Sequence, residues 1–118
     1  MENSLPILIF ALIFMIFSIN SGMVKLADAQ GKTWCVAKPS SSEAELTENI
    51  NYACGELRDC RLIQPNGGCY SPNSYINHAS VVMNLYYQSK GRNTWNCDFK
   101  NSGLISTKDP SYYGCQYL

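Results

Sequence analysis

Six cysteines, at positions 35, 54, 60, 69, 97 and 115, constrain this chain more than any other feature, and all of them follow an uncharged apolar run over Leu5–Ile19. That run holds 15 residues, short of the ~20 that a membrane-spanning helix needs. It leads into Ala27-Asp28-Ala29, whose small residues fit an A-x-A signal-peptidase site. The n-region is atypical in having Glu2 and no Lys or Arg before the run. The pattern predicts a signal peptide over 1–29, cleavage before Gln30, and one exported domain over 30–118. An even cysteine count in a short exported chain reads as a disulfide framework, with many pairings open to it. A metal site is the weaker reading, because there is no C-x-x-C pair and His78 is the single histidine. A domain of this size buries only roughly 60–65% of its unfolded surface. Each bridge that closes a long loop adds ~3–4 kcal/mol by restricting the unfolded chain.

Charge narrows the function. The predicted mature segment carries eight Lys or Arg and seven Asp or Glu, a neutral and mixed surface that suits neither nucleic acid nor anionic lipid. Cys115 stands three residues from the last residue, with no polar spacer and hydrophobic tail for a GPI anchor, and no N-glycosylation sequon occurs. The expected product is a secreted, soluble monomer without a membrane anchor or cofactor.

Local signals give two helices. Ser42 and Glu45 form a capping box, and Leu46, Ile50, Ala53, Cys54 and Leu57 recur on one helical face. A first helix over about 43–54 follows, with Gly55 as its left-handed stop. Pro65-Asn66-Gly67-Gly68 marks a turn, and Ser71-Pro72 opens a second helix with proline at its first position. Ile76, Ala79, Met83, Tyr86, Tyr87 and the stem of Lys90 share a face of that helix, Val81 and Leu85 lie opposite, and Gly91 stops it. Thr33–Ala37 reads as extended, as do pieces around Trp95–Phe99, Leu104–Ser106 and Gly114–Tyr117. The fold class is therefore small, disulfide-rich α+β, with two main helices packed on a small antiparallel sheet and three disulfides.

Aromatic side chains are the main functional resource. The mature segment holds eight Tyr, two Trp and Phe99, more than a core this small requires. Tyr and Trp combine a flat apolar face with a hydrogen-bonding edge, which matches a pyranose ring. Tyr52, Tyr86 and Tyr87 fall at helical spacing and are assigned to the core, and Trp34 is expected to pack over a disulfide. Tyr70, Tyr75, Trp95, Tyr112 and Tyr113 are the candidate stacking residues. Tyr112 and Tyr113, in a polar loop, are expected to be the most exposed. Hydrolysis has little support, since a glycosidase needs two carboxylates about 5–9 Å apart with one held protonated by its surroundings. Glu43, Glu45 and Glu48 read as a capping and solvated set, Asp98 and Asp109 as strand and turn residues, and His78 has no nucleophile beside it. No catalytic residue is assigned.

Many short segments together resemble one family. Trp34-Cys35-Val36-Ala37-Lys38-Pro39, Ala53-Cys54-Gly55, Asp59-Cys60, Gly68-Cys69-Tyr70-Ser71-Pro72, His78-Ala79-Ser80, Asn84, Tyr86-Tyr87-Gln88, Cys97-Asp98-Phe99 and Asp109-Pro110-Ser111 are similar to the plant X8 domain. The likeness covers Lys32 to Leu118, and the run over 87–93 resembles the standalone pollen allergens of the olive type. The resemblance implies two helices with a small antiparallel sheet, and the pairing Cys35–Cys97, Cys54–Cys60 and Cys69–Cys115. It also implies non-catalytic binding of callose-type 1,3-β-glucan in the cell wall. Many X8 proteins carry a GPI anchor or follow a glucanase domain, and neither signal is read here. The alternatives are a cysteine-rich accessory or interaction protein that does not bind glucan, or a defence protein. The lipid-transfer type is disfavoured, because the adjacent Cys-Cys and Cys-x-Cys pairs it uses are absent.

Overall fold

The computed structural model describes residues 31–118, so the apolar leader and its expected cleavage site lie outside the described residues. Strand β1 (Trp34–Ala37) is followed by helix α1 (Glu43–Leu57), a 3₁₀ turn (Arg61–Ile63), helix α2 (Tyr75–Ser89), a second 3₁₀ turn (Thr94–Cys97) and strand β2 (Gly103–Ser106). The strands pair antiparallel, Trp34 opposite Ser106 and Ala37 opposite Gly103. The described residues thus form a small α+β domain of two α-helices, one two-stranded sheet and three disulfides. Among the described residues no helix is long and apolar enough to cross a membrane.

Each helix starts where its cap chemistry dictates. The Ser42 hydroxyl accepts from the Glu45 amide at 3.1 Å, and the Glu45 carboxylate accepts from the Ser42 amide at 3.0 Å, so two orphan donors are satisfied reciprocally. Gly55 does not end α1. The helix runs one turn further to Leu57, which packs on the core, and Arg58 takes the left-handed position at φ 65°. Its amide bonds the Cys54 carbonyl at 2.8 Å, and the Cys54–Cys60 disulfide draws the chain back at this corner. Nor does Ser71-Pro72 open α2. Ser74 is the N-cap, accepting from the Asn77 amide at 3.2 Å, and Tyr75 is the first helical residue. At the other end Gly91, at φ 88°, completes a Schellman stop with Arg92 N–H on Tyr87 O and Gly91 N–H on Gln88 O.

Helix α2 packs against both α1 and β1 and is buried on most of its circumference, through Ala79, Val81, Val82, Met83, Asn84, Tyr86 and Tyr87. Ile76, expected on its core face, is exposed at the first turn. A polar stripe, Ser80, Asn84 and Gln88, runs along α2 at helical i, i+4 spacing and meets the edge of β1 that β2 leaves free. Ser80 Oγ accepts from Ala37 N at 3.0 Å, Asn84 Oδ1 from Cys35 N at 3.0 Å, and Gln88 Nε2 donates to Thr33 O at 2.9 Å. Three side chains of a helix thereby stand in for a third strand, which lets β1 be buried with these edge groups satisfied.

The disulfides join Cys35 to Cys97, Cys54 to Cys60 and Cys69 to Cys115, with Cα atoms 5.6, 5.7 and 4.7 Å apart. This is the pairing that the resemblance implies. One core cluster gathers Trp34, Val81, Val82 and Tyr86 around Cys69 and Cys115, and another gathers Leu46, Met83 and Tyr87 around Cys35 and Cys97. Two segments expected to be extended are not. Thr94–Cys97 is a 3₁₀ turn, because Asn93 O takes the Asn96 amide at 2.9 Å. Gly114–Tyr117 forms no strand, only a bridge between Tyr112 and Cys115 that closes a tight turn.

A candidate aromatic cleft

Tyr52 on α1 and Tyr86 on α2 meet the Trp95–Lys100 segment in a cleft of about 320 Å³, which Glu48, Asn49, Asn96 and Asp98 also line. Its floor is a set of edge-to-face rings. Tyr52 lies 5.4 Å from Tyr86 and 6.3 Å from Phe99, and Tyr86 lies 5.7 Å from Phe99. The two tyrosine hydroxyls are 3.2 Å apart, and this hydrogen bond is the main reason the Tyr52 phenol is raised above its ordinary value. The rims stay open, with Trp95 72% and Tyr52 51% exposed.

The backbone at one wall is unusual. Phe99, Lys100 and Asn101 are consecutive left-handed residues at φ 45°, 52° and 69°, a conformation costing non-glycine residues about 1–2 kcal/mol each. Side-chain contacts hold it. The Ser102 hydroxyl donates to Phe99 O at 2.6 Å and accepts from the buried Asn49 amide at 2.7 Å, while Lys38 Nζ donates to Asn101 Oδ1 at 2.8 Å. Gly103 follows because a Cβ there would collide with the Cys97 carbonyl. The outcome is that Phe99 turns into the ring cluster while Lys100 reaches back to Glu48 on α1, at 2.6 Å. That hydrogen bond, and then the Glu48 charge, raise the Lys100 ammonium above its ordinary value. At the same wall, Asn96 Oδ1 is buried without a hydrogen-bond partner.

Of the five candidate stacking residues, Trp95 alone lines this cleft. Tyr113 is fully exposed and Tyr75 is 49% exposed, each offering a free ring. Tyr70 is half-buried, its ring stacked at 5.5 Å on His78, whose Nε2 lies 2.7 Å from Tyr70 O. Tyr112 differs from the expectation of exposure. It is half-buried and its hydroxyl lies 2.8 Å from Ser71 O and 3.0 Å from Asn77 Oδ1, fastening the C-terminal loop to the entry of α2.

Tyr52 corrects its assignment to the core, and Glu48 leaves the merely solvated set. The helical pattern carried a signal for Tyr52, which falls off the Leu46–Ile50–Cys54–Leu57 face. Phe99 and Tyr86 gave no such signal, since their meeting depends on the left-handed turn. A second, wider groove of about 1050 Å³, bounded by Leu57, Leu62, Pro65, Leu85 and Leu118, contains no aromatic ring and so no stacking platform.

Comparison with known proteins agrees with the cysteine framework. The family model described as the X8 domain matches residues 33–104. The chain is similar to the glucan endo-1,3-beta-D-glucosidase of Olea europaea, 54% identical over 85 residues that are 72% of this chain and 18% of that protein. It is similar to the major pollen allergen Ole e 10 of Olea europaea, 46% identical over 101 residues, 84% of this chain and 82% of the allergen. The plasmodesmata callose-binding protein 2 of Arabidopsis thaliana is 34% identical over 92 residues, 78% of this chain and 47% of that protein. The chain therefore spans less than a fifth of the glucosidase, and most of the allergen.

Proposed function

This chain belongs to the X8 domain family, and on that premise we propose that it is a secreted, non-catalytic module that binds β-1,3-glucan of the callose type in the plant cell wall, as a monomer. The observation that carries the reading is the cleft in which the exposed Trp95 and Tyr52 stand beside a charged, hydrogen-bonding rim. A sugar ring laid on an aromatic face removes ~40–60 Å² of apolar surface from water, worth ~1–1.5 kcal/mol. Two or three such rings with rim hydrogen bonds, less ordering costs, leave ~4–7 kcal/mol, or affinities from about millimolar to ten micromolar. Several sugar units must then be engaged at once, and Tyr75 and Tyr113 are the further free rings that a longer chain could meet.

The names of the relatives support a glucan ligand, one of them being a callose-binding protein. Cleavage belongs to a different geometry. Glu48 is 58% exposed and paired with a cation, whereas a glycosidase acid sits where burial keeps it protonated. Sedimentation with insoluble β-1,3-glucan, beside cellulose and with a reducing-sugar assay, tests the reading. Retention on the first polymer without sugar release is expected, and Trp95→Ala should weaken it ~5- to 10-fold at an unchanged thermal midpoint. Equal retention on cellulose, or release of reducing ends, would overturn it.

A further inference from the structure

We infer that the Glu48–Lys100 pair is the specificity element of the aromatic cleft, selecting uncharged glucan and turning away polymers that carry carboxylates; this rests on the glucan reading above. Three observations lead there. The pair bridges elements 52 residues apart in sequence, helix α1 and the left-handed turn, and its 2.6 Å contact lies on the cleft wall. Both side chains are largely exposed, 84% for Lys100 and 58% for Glu48. An exposed ion pair contributes little to stability, so the folding return of the strained turn lies in seating Phe99 and the Glu48–Lys100 contact adds little to it. Finally, the cleft-lining charges are Glu48, Asp98 and Lys100, one net negative charge.

The chemistry follows from that arrangement. A carboxylate and an ammonium side by side present acceptors and donors together, and neighbouring sugar hydroxyls can satisfy both. With its positive charge already matched, Lys100 offers no free cation to a uronate or other carboxylate, and Asp98 and Glu48 repel one. Neutral sugars feel neither effect. Glu48 therefore sets the preference less by touching the correct ligand than by denying Lys100 to the wrong one.

The test compares the parent, Glu48→Gln and Lys100→Gln on soluble β-1,3-glucan and on its carboxymethylated derivative, at low salt and at 0.5 M NaCl. The parent should bind the neutral polymer better. Glu48→Gln keeps the side-chain shape but leaves Lys100 unmatched, and should shift the ratio about fivefold or more toward the carboxymethylated polymer at low salt, with the shift fading in high salt. Lys100→Gln should move the ratio the other way. Parent binding to neutral glucan with an unchanged ratio in Glu48→Gln overturns this inference alone. Failure of the parent to bind either polymer overturns the glucan reading as well, and with it this inference.

Discussion

Replacing Asn84 by Ala removes the central acceptor from the stripe by which α2 covers β1. Asn84 is 1% exposed, and its Oδ1 takes the Cys35 amide at 3.0 Å and Gln88 Nε2 at 3.2 Å. Cys35 is itself fully buried, so no water can replace the lost acceptor. An orphaned buried N–H costs about 1–3 kcal/mol. The small void left by the amide adds to this, while loss of the partnerless Asn84 Nδ2 offsets part of it. A net ~1.5–3 kcal/mol corresponds to a thermal midpoint lowered by about 10–20 °C in a domain of this size. Thermal unfolding with the disulfides intact measures the shift, and hydrogen exchange at the Cys35 amide reports the cause. Gln88→Ala is the internal comparison. Its partner residue, Thr33, is half-exposed and the bond only part-buried, so the loss should stay below about 1 kcal/mol. An Asn84→Ala midpoint within ~3 °C of the parent, with Cys35 still protected, would refute the edge-covering argument.

Two other expectations follow from single contacts. Removing Cys35 and Cys97 together should destabilise by about 2 kcal/mol more than removing Cys54 and Cys60, since loop entropy scales with the logarithm of loop length and the separations are 62 and 6 residues; equal denaturant midpoints for the two double variants would contradict it. The Arg61 side chain, hydrogen-bonded to Asp59 at 3.0 Å, holds the Asp59 carboxyl down to about 2. A lowered folded value stabilises above the unfolded value near 3.8 and is lost as pH falls through about 2. NMR titration should find the Asp59 midpoint near 2, and Asp59→Asn should remove that part of the acid dependence between those values; a midpoint near 3.8 means the pair does not form in solution.

What the sequence disclosed was chemistry acting within a few residues. The Ser42–Glu45 box and the Gly91 stop are readable because their donors and acceptors are sequence neighbours. Gly55 misled for the same reason, as a local stop signal was outvoted by Leu57 packing and the Cys54–Cys60 tie. The polar stripe on α2 was visible as Ser80, Asn84 and Gln88, yet nothing local said which strand edge needed it. The cleft was the least legible part. Its rings come from α1, α2 and the 95–100 segment, and Phe99 enters only through three left-handed residues that no glycine announces. Membership of a family could be read from the cysteines and their neighbours, whereas the arrangement of the rings required the fold.

The order of the cysteines has a consequence for a chain that is cut. The Cys35–Cys97 loop covers every peptide bond up to Cys97, and the Cys69–Cys115 loop overlaps it and covers the rest. A single cleavage anywhere between Cys35 and Cys115 thus frees no fragment. It leaves two pieces joined covalently, heavier by one water, with helices and cleft walls still tethered to each other. Such a molecule migrates as one species until it is reduced and only then falls apart. A protease must cut twice, either within one stretch between neighbouring cysteines or once on each side of the self-contained Cys54–Cys60 pair, before it can carry anything away.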